Sequence, residues 1–312
     1  MRASGTHRHV FLGELHDRHS KRTRIVVALT AAAMVVEIAA GYAFGSMALL
    51  ADGFHMSTHA GALLLAALAY RYASRHAEDP AFTFGTGKIG DLAGFASAVV
   101  LGMIALWIAA DSLARFAAPL PIRYDEAIVV AVLGLAVNLA SAALLHDGGH
   151  DHGPHDHGHD HDHDPDGHDA HDGHHDHNFR AAYVHVAADA LTSVLAIGAL
   201  LAGRGLGWAW LDPAAGLLGA GMIAIWSVRL MRDSAGVLVD RVPDPRLAAA
   251  IAERLERRGA RVTDLHLWRV GPGHNAAVIS LSDAAPQTPD QYKTALSGLH
   301  GLSHVTVEVT PA

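Results

Sequence analysis

The chain is predicted to be an α-helical membrane protein, six transmembrane helices followed by a small cytoplasmic α+β domain of order αββαβ, and three observations predict it. Hydrophobic residues make up 51% of the sequence and charged residues only 17%, with a mean hydropathy of +0.21, more apolar than the usage of ordinary soluble domains. The apolar residues gather into six runs, each of about the 20 residues that a helix needs to cross the hydrocarbon layer. After Met231 the composition changes to that of a small soluble domain.

Taken in order, residues 1–24 are polar and basic, with Arg2, Arg8, Arg18, Lys21, Arg22 and Arg24 ahead of the first run. Positive charge beside a span favours the cytoplasmic side. No apolar h-region with a small-residue cleavage site is seen at this end, so the first run is expected to be a retained anchor. The runs occupy 25–44, 49–70, 89–113, 127–145, 179–202 and 211–231. Arg71, Arg75 and Lys88 flank the connection after the second, and Arg229 and Arg232 follow the sixth. Both termini are therefore expected in the cytoplasm, although Arg115 and Arg123 stand on the opposite, outer side. The transmembrane domain is placed at 25–235 and the terminal domain at 236–312.

Between the fourth and fifth runs, 146–178 holds 13 histidines and 10 aspartates among glycines and prolines. Such a stretch cannot bury an apolar core and is expected to be a disordered cytoplasmic loop, a reservoir for divalent first-row metals. In the terminal domain, 243–257 reads as a helix with Asp244 near its start and Leu247, Ile251 and Leu255 at helical spacing. Strands are expected at 261–270 and 276–281, joined by the turn signal GPGHN, then a helix at 291–299 and a strand at 304–310.

The chemistry lies inside the apolar runs. No cysteine is present, which excludes disulfides and thiolate sites and leaves oxygen and nitrogen ligands. The net charge of -8 comes largely from aspartates interleaved with histidines, so nucleic acid is not an expected partner. The second run, LLADGFHMSTHAGALLLAALAY, carries Asp52, His55 and His59; the fifth, NFRAAYVHVAADALTSVLAI, carries His185 and Asp189. Each pair, His55 with His59 and His185 with Asp189, is spaced i,i+4 and shares a helical face. Ionisable side chains at membrane depth are costly and mark a function. Three imidazoles and a carboxylate suffice for four-coordinate Zn²⁺ or another borderline first-row ion. A closed ligand set suits binding and release better than hydrolysis. An intramembrane metalloprotease loses its main support because HMSTH has Met56 where HExxH needs the general-base glutamate. Glu37, Asp91, Asn138 with Ser141, and Asp212 before Pro213 are candidates to line a cavity or receive protons, or else to bond between helices or cap them. Asp52 and Ser193 are candidates to orient ligand imidazoles.

The stretches GSMALLADGFHMSTHA and HVAAD, the histidine-rich loop, and DLHLW of the terminal domain resemble the cation diffusion facilitator family of divalent metal/proton antiporters over nearly the whole chain. The resemblance implies a six-span homodimer of the inner (plasma) membrane, a secondary transporter and not an enzyme. It needs no prosthetic group, and its partners are divalent metal ions, protons and the lipid bilayer. It makes His55, His59, His185 and Asp189 the transport site. Zinc members commonly have His and Asp in the second span. His59 departs from that, and with FGTGK at 84–88 and NFRAAYVHV it resembles the DmeF-like cobalt and nickel efflux branch. Imidazole suits Co²⁺, Ni²⁺ and Zn²⁺ alike. Cytoplasmic metal sites are implied in some relatives. His76, Glu78 and Asp79, and His266, His274, His300, His304 and Glu308, are available here without compelling ligand spacing. The expectation is proton-coupled efflux by alternating access. The alternatives are a zinc-selective exporter of the same family and a membrane metal sensor or scaffold that does not transport.

Overall fold

The computed structural model describes residues 20–146 and 173–312; the side chains of 20–27, 59–60, 62–63, 142, 144–146 and 173–189 lie outside that description. Six long helices come first: α1 (Ser20–Phe44), α2 (Met47–Arg75), α3 (Ile89–Ala117), α4 (Tyr124–His146), α5 (Gly173–Leu206) and α6 (Leu211–Leu238). Each covers one apolar run and continues past it, because extending a formed helix adds a hydrogen bond per residue without a new nucleus. The expected loop at 146–178 is thereby shortened at both ends: His146 closes α4, and 173–178 open α5. No glycine or proline stands between Gly173 and the apolar run, so nothing stops the helix from extending upstream. The remainder of that loop, 147–172, and most of the N-terminal segment lie outside the described residues.

Among the described residues, α3, the Tyr124–Ser141 part of α4, and α6 are long and apolar enough to cross a membrane; Ala28–Phe44 and Ala190–Leu206 are shorter apolar stretches. Leu106, Leu133, Leu191 and Leu218 are 71, 59, 58 and 63% exposed. So much outward-facing leucine suits a hydrocarbon solvent and not water.

The described residues divide into two compact units, one of 20–61, 101–146 and 173–225, the other of 62–100 and 226–312. In the first, α2 is packed on two sides. Met47, Leu50 and Ala51 meet Ala105 and Ile108 of α3 and Ala220 and Ile223 of α6. Leu49 meets Ala40 of α1, Ala127 and Ala131 of α4, and Leu200 of α5. Small residues let the helices approach closely; a β-carbon on Gly219 would lie 2.7 Å from Ala51 Cβ.

The second unit contains the terminal domain: α7 (Pro245–Glu256), β1 (Arg261–Gly271), β2 (His274–Asp283), α8 (Pro289–Leu296) and β3 (Leu302–Pro311). The order is the αββαβ that the sequence predicts. β1 and β2 form an antiparallel hairpin, and the crossover through α8 makes β3 parallel to β2. Asp244 caps α7 by accepting from Arg246 N at 2.8 Å, and Thr288 with Gln291 forms a capping box on α8. Ile251 and Leu255 of α7 and Tyr292 and Leu296 of α8 close over Leu267, Ile279 and Leu281 of the sheet. The same unit seats the 76–88 connection on this domain. Phe84 meets the Trp268 and His304 rings edge-on at 5.6 and 5.9 Å, and Lys88 pairs with Asp240. Thr86 Oγ1 donates to Ala73 O at 2.8 Å.

Candidate cation site

The site is built outward from the start of α2. Gly45 turns the chain at φ +76°, a conformation that glycine adopts without steric penalty, and α2 begins two residues later. Its first turn is capped from a helix distant in sequence. Asp212 Oδ2 accepts from Met47 N at 2.8 Å, and Oδ1 accepts from Ser46 Oγ at 2.6 Å and Ala48 N at 3.2 Å. Ser46 Oγ in turn accepts from Leu49 N at 3.1 Å. A carboxylate there satisfies amides that have no partner within the helix, and it meets the positive end of the helix dipole. Arg115 fixes the same turn, donating to Gly45 O and pairing with Asp111 Oδ2 at 3.0 Å.

With its origin fixed, α2 presents Asp52 and His55, 3 and 1% exposed, to a cavity of about 30 Å³. That volume is on the scale of one water molecule or one dehydrated ion. Thr192 and Leu195 of α5 and Met222 of α6 complete its wall. Local hydroxyls bond back to the carbonyls of this stretch: Ser57 Oγ to Phe54 O at 2.6 Å and Thr58 Oγ1 to His55 O at 2.7 Å. Ser193 is buried beside Thr192, and its Oγ has no hydrogen-bond partner among the described residues.

Of the four predicted ligands, His55 is therefore found buried at a cavity. His59 lies four residues further along α2, and His185 and Asp189 lie on α5; the side chains of these three are outside the described residues. Among the described residues no group of three or more His, Asp or Glu side chains is arranged to hold a metal. Thr192 and Met222 were not among the sequence candidates. Thr192 stands three residues beyond Asp189 and so could have been found by helical spacing, whereas Met222 had no local signal.

The other polar candidates separate. Asp212 is a cap, but of α2 and not of its own helix. Ser141 Oγ lies 3.4 Å from Thr30 Oγ1, an α1–α4 hydrogen bond. Glu37 is 1% exposed, and neither of its oxygens has a hydrogen-bond partner among the described residues. His76 stacks on Tyr72 at 4.2 Å, and Asp79 Oδ1 accepts from Ala81 N at 2.9 Å. In the terminal domain His266 pairs with Asp264 at 2.8 Å, the His274 ring bonds Ser303 Oγ at 2.7 Å, and Glu308 accepts from Ser280 Oγ at 3.1 Å.

Long apolar helices with buried ionisable groups at a cavity define a polytopic membrane protein that handles a small polar solute. The chain belongs to the cation efflux, or cation diffusion facilitator, family: the cation efflux transmembrane domain matches residues 23–239. It is 33% identical over 273 residues to the zinc transporter ZitB of Escherichia coli, covering 85% of this chain and 78% of that one. It is 29% identical over 310 residues to the metal cation efflux system protein CzcD of Cupriavidus metallidurans, covering 95 and 89%. It is 28% identical over 287 residues to a cadmium, cobalt and zinc/H(+)-K(+) antiporter of Bacillus velezensis, covering 89 and 84%. The chain is thus a membrane transport protein of a cation efflux family.

Proposed function

We propose that this chain exports a divalent transition-metal cation from the cytoplasm in exchange for protons, using His55, His59, His185 and Asp189 as ligands. The observation that carries the reading is the burial of Asp52 and His55 at an ion-sized cavity walled by α2, α5 and α6. Neutral imidazole and ionised carboxylate bind metal and their protonated forms do not, so cation binding and proton binding exclude each other. Alternating access turns that exclusion into exchange: the cation enters from the cytoplasm, and protons returning from outside expel it. The assembly is a homodimer of six-span subunits in the inner membrane with both termini cytoplasmic. Its domains are 1–24, 25–235 and 236–312, and the histidine-rich loop acts as a metal buffer.

Imidazole accepts Co²⁺, Ni²⁺ and Zn²⁺ alike, so the preference for Co²⁺ and Ni²⁺ rests on the resemblance of His59, FGTGK and NFRAAYVHV to the cobalt and nickel branch. The second reading is zinc export, favoured by the identity to a relative named as a zinc transporter. Proteoliposomes with an imposed pH gradient, offered Co²⁺, Ni²⁺ and Zn²⁺ in turn, test both. Flux is expected for the wild type and a loss of at least about 100-fold for His55→Ala and Asp189→Ala, since losing even a partner that only orients a ligand costs about 10–100-fold. Wild-type flux in those variants would remove the site assignment. His59→Asp is expected to move selectivity toward Zn²⁺. No flux of any cation from the wild type would favour the sensor.

A further inference from the structure

We propose that Glu37 is a proton-binding site in its own right, separate from the cavity beside His55 and linked to it through Asp52; this rests on the cation-for-proton exchange proposed above. Glu37 projects from α1 into the interface with α2 and α4. A β-carbon on Gly134 of α4 would lie 1.5 Å from Glu37 Oε1, and one on Gly53 of α2 would lie 3.1 Å from Glu37 Cβ. Glycine at 134 makes the space that the carboxyl occupies, and glycine at 53 lets α2 approach the Glu37–Ile38 stretch of α1. An ionised carboxylate enclosed in this way without donors bears its full desolvation cost. A bound proton removes that cost.

The groups facing Glu37 support this. From α2 comes Asp52, close enough to act on it electrostatically, with His55 one turn further on. From α4 comes Gly134; one turn further along that helix stands Asn138, whose Nδ2 has no partner among the described residues. No cationic side chain among the described residues acts on Glu37. Two neighbouring buried carboxyls cannot both carry charge at low cost, so the pair shares a proton. Seven residues along each helix, Thr30 and Ser141 continue the polar line. Asp52 belongs to both environments, since it also lines the cavity.

Arrival of a dication beside His55 sets two positive charges next to Asp52 and removes the reason for Glu37 to stay neutral. The O–H bond of the Glu37 acid then breaks, the electron pair stays on the carboxylate, and the proton leaves through water. When the cation departs, Glu37 takes a proton back. Glu37 thus adds a proton to the exchange without touching the cation.

The test uses the full-length protein in nanodiscs under weak buffering, titrated with Co²⁺, Ni²⁺ or Zn²⁺ while released protons and binding are both measured. Glu37→Gln is expected to bind the cation yet release about one proton fewer, with the slope of log affinity against pH reduced by about one. Unchanged release and slope would overturn the proposal. Infrared difference spectra of the wild type provide a second reading that does not depend on the variant folding. A deuterium-sensitive carboxylic acid band is expected to vanish on cation addition and to shift in Glu37→Asp; its absence from the wild type overturns the proposal equally. Flux from the same preparation in proteoliposomes separates the two ideas. Glu37-dependent proton release without flux overturns the exporter reading alone, and flux with Glu37-independent release overturns this one alone.

Discussion

Asp212 illustrates how much one side chain can settle. It is nearly inaccessible and accepts from two backbone amides and a hydroxyl at the start of α2, so its removal strands those donors as well as the helix dipole. Asp212→Ala is expected to cost about 1–3 kcal/mol, the penalty for leaving buried donors unmade, seen as a lower melting temperature in detergent. Asp212→Asn, which keeps one acceptor oxygen, is expected to lose less. In the terminal domain Asp283 and Tyr292 form the corresponding polar anchor. The Tyr292 hydroxyl at 2.5 Å and the Ala285 amide at 2.9 Å hold the Asp283 carboxyl below the usual carboxylate range. Burial first, and then the Asp283 contact, pushes the Tyr292 phenol up. A depressed acid stabilises the fold above its unfolded pKa of about 3.9, and that contribution disappears as pH falls through the folded value. A raised phenol stabilises below about pH 10, and that contribution disappears as pH rises. Amide exchange of β2 is therefore expected to accelerate at both extremes in the wild type, and the pair-dependent part is expected to vanish in Tyr292→Phe. Equal pH profiles for the two proteins would refute the anchor.

At the scale of elements, the connection between α2 and α3 is a fitted piece and not a slack loop. Gly87 lies against β1 so closely that a β-carbon would sit 2.2 Å from Val270 O and 2.7 Å from Gly271 Cα. Both are backbone atoms and cannot swing aside. Gly87→Ala is expected to cost about 1–3 kcal/mol, as overpacking does, and to unseat Phe84 from Trp268. Limited proteolysis of the 81–88 segment is the measurement: faster cleavage with terminal-domain stability unchanged is expected, and wild-type resistance would show that the seat is looser than its geometry. The FGTGK motif was conspicuous in the sequence, but its partner was not. Val270 stands more than a hundred positions away, and no periodicity links the two. The αββαβ order was legible because each terminal-domain element carries its own signal: Asp244 before Pro245, alternating apolar residues in β2, and the turn at Gly271–Gly273.

For the whole molecule, the apolar runs and the histidine-rich loop call for different tests. Removing residues 147–172 is expected to leave maximal transport intact and to weaken apparent affinity or delivery severalfold, since a buffer raises local metal without forming the path. Complete loss of flux in a folded deletion variant would end the buffering role. The sequence by itself determined the six helices, the small terminal sheet, the family and the i,i+4 spacing of His55 with His59 and of His185 with Asp189. Each of these rests on local periodicity or on motifs within a few turns. Only the tertiary structure decided that Asp212 caps α2, that Thr192 and Met222 share a cavity with His55, and that Glu37 lies between Gly53 and Gly134. The physical reason is that a buried polar group is defined by what encloses it. The enclosing residues come from helices whose separation along the chain carries no record of their contact.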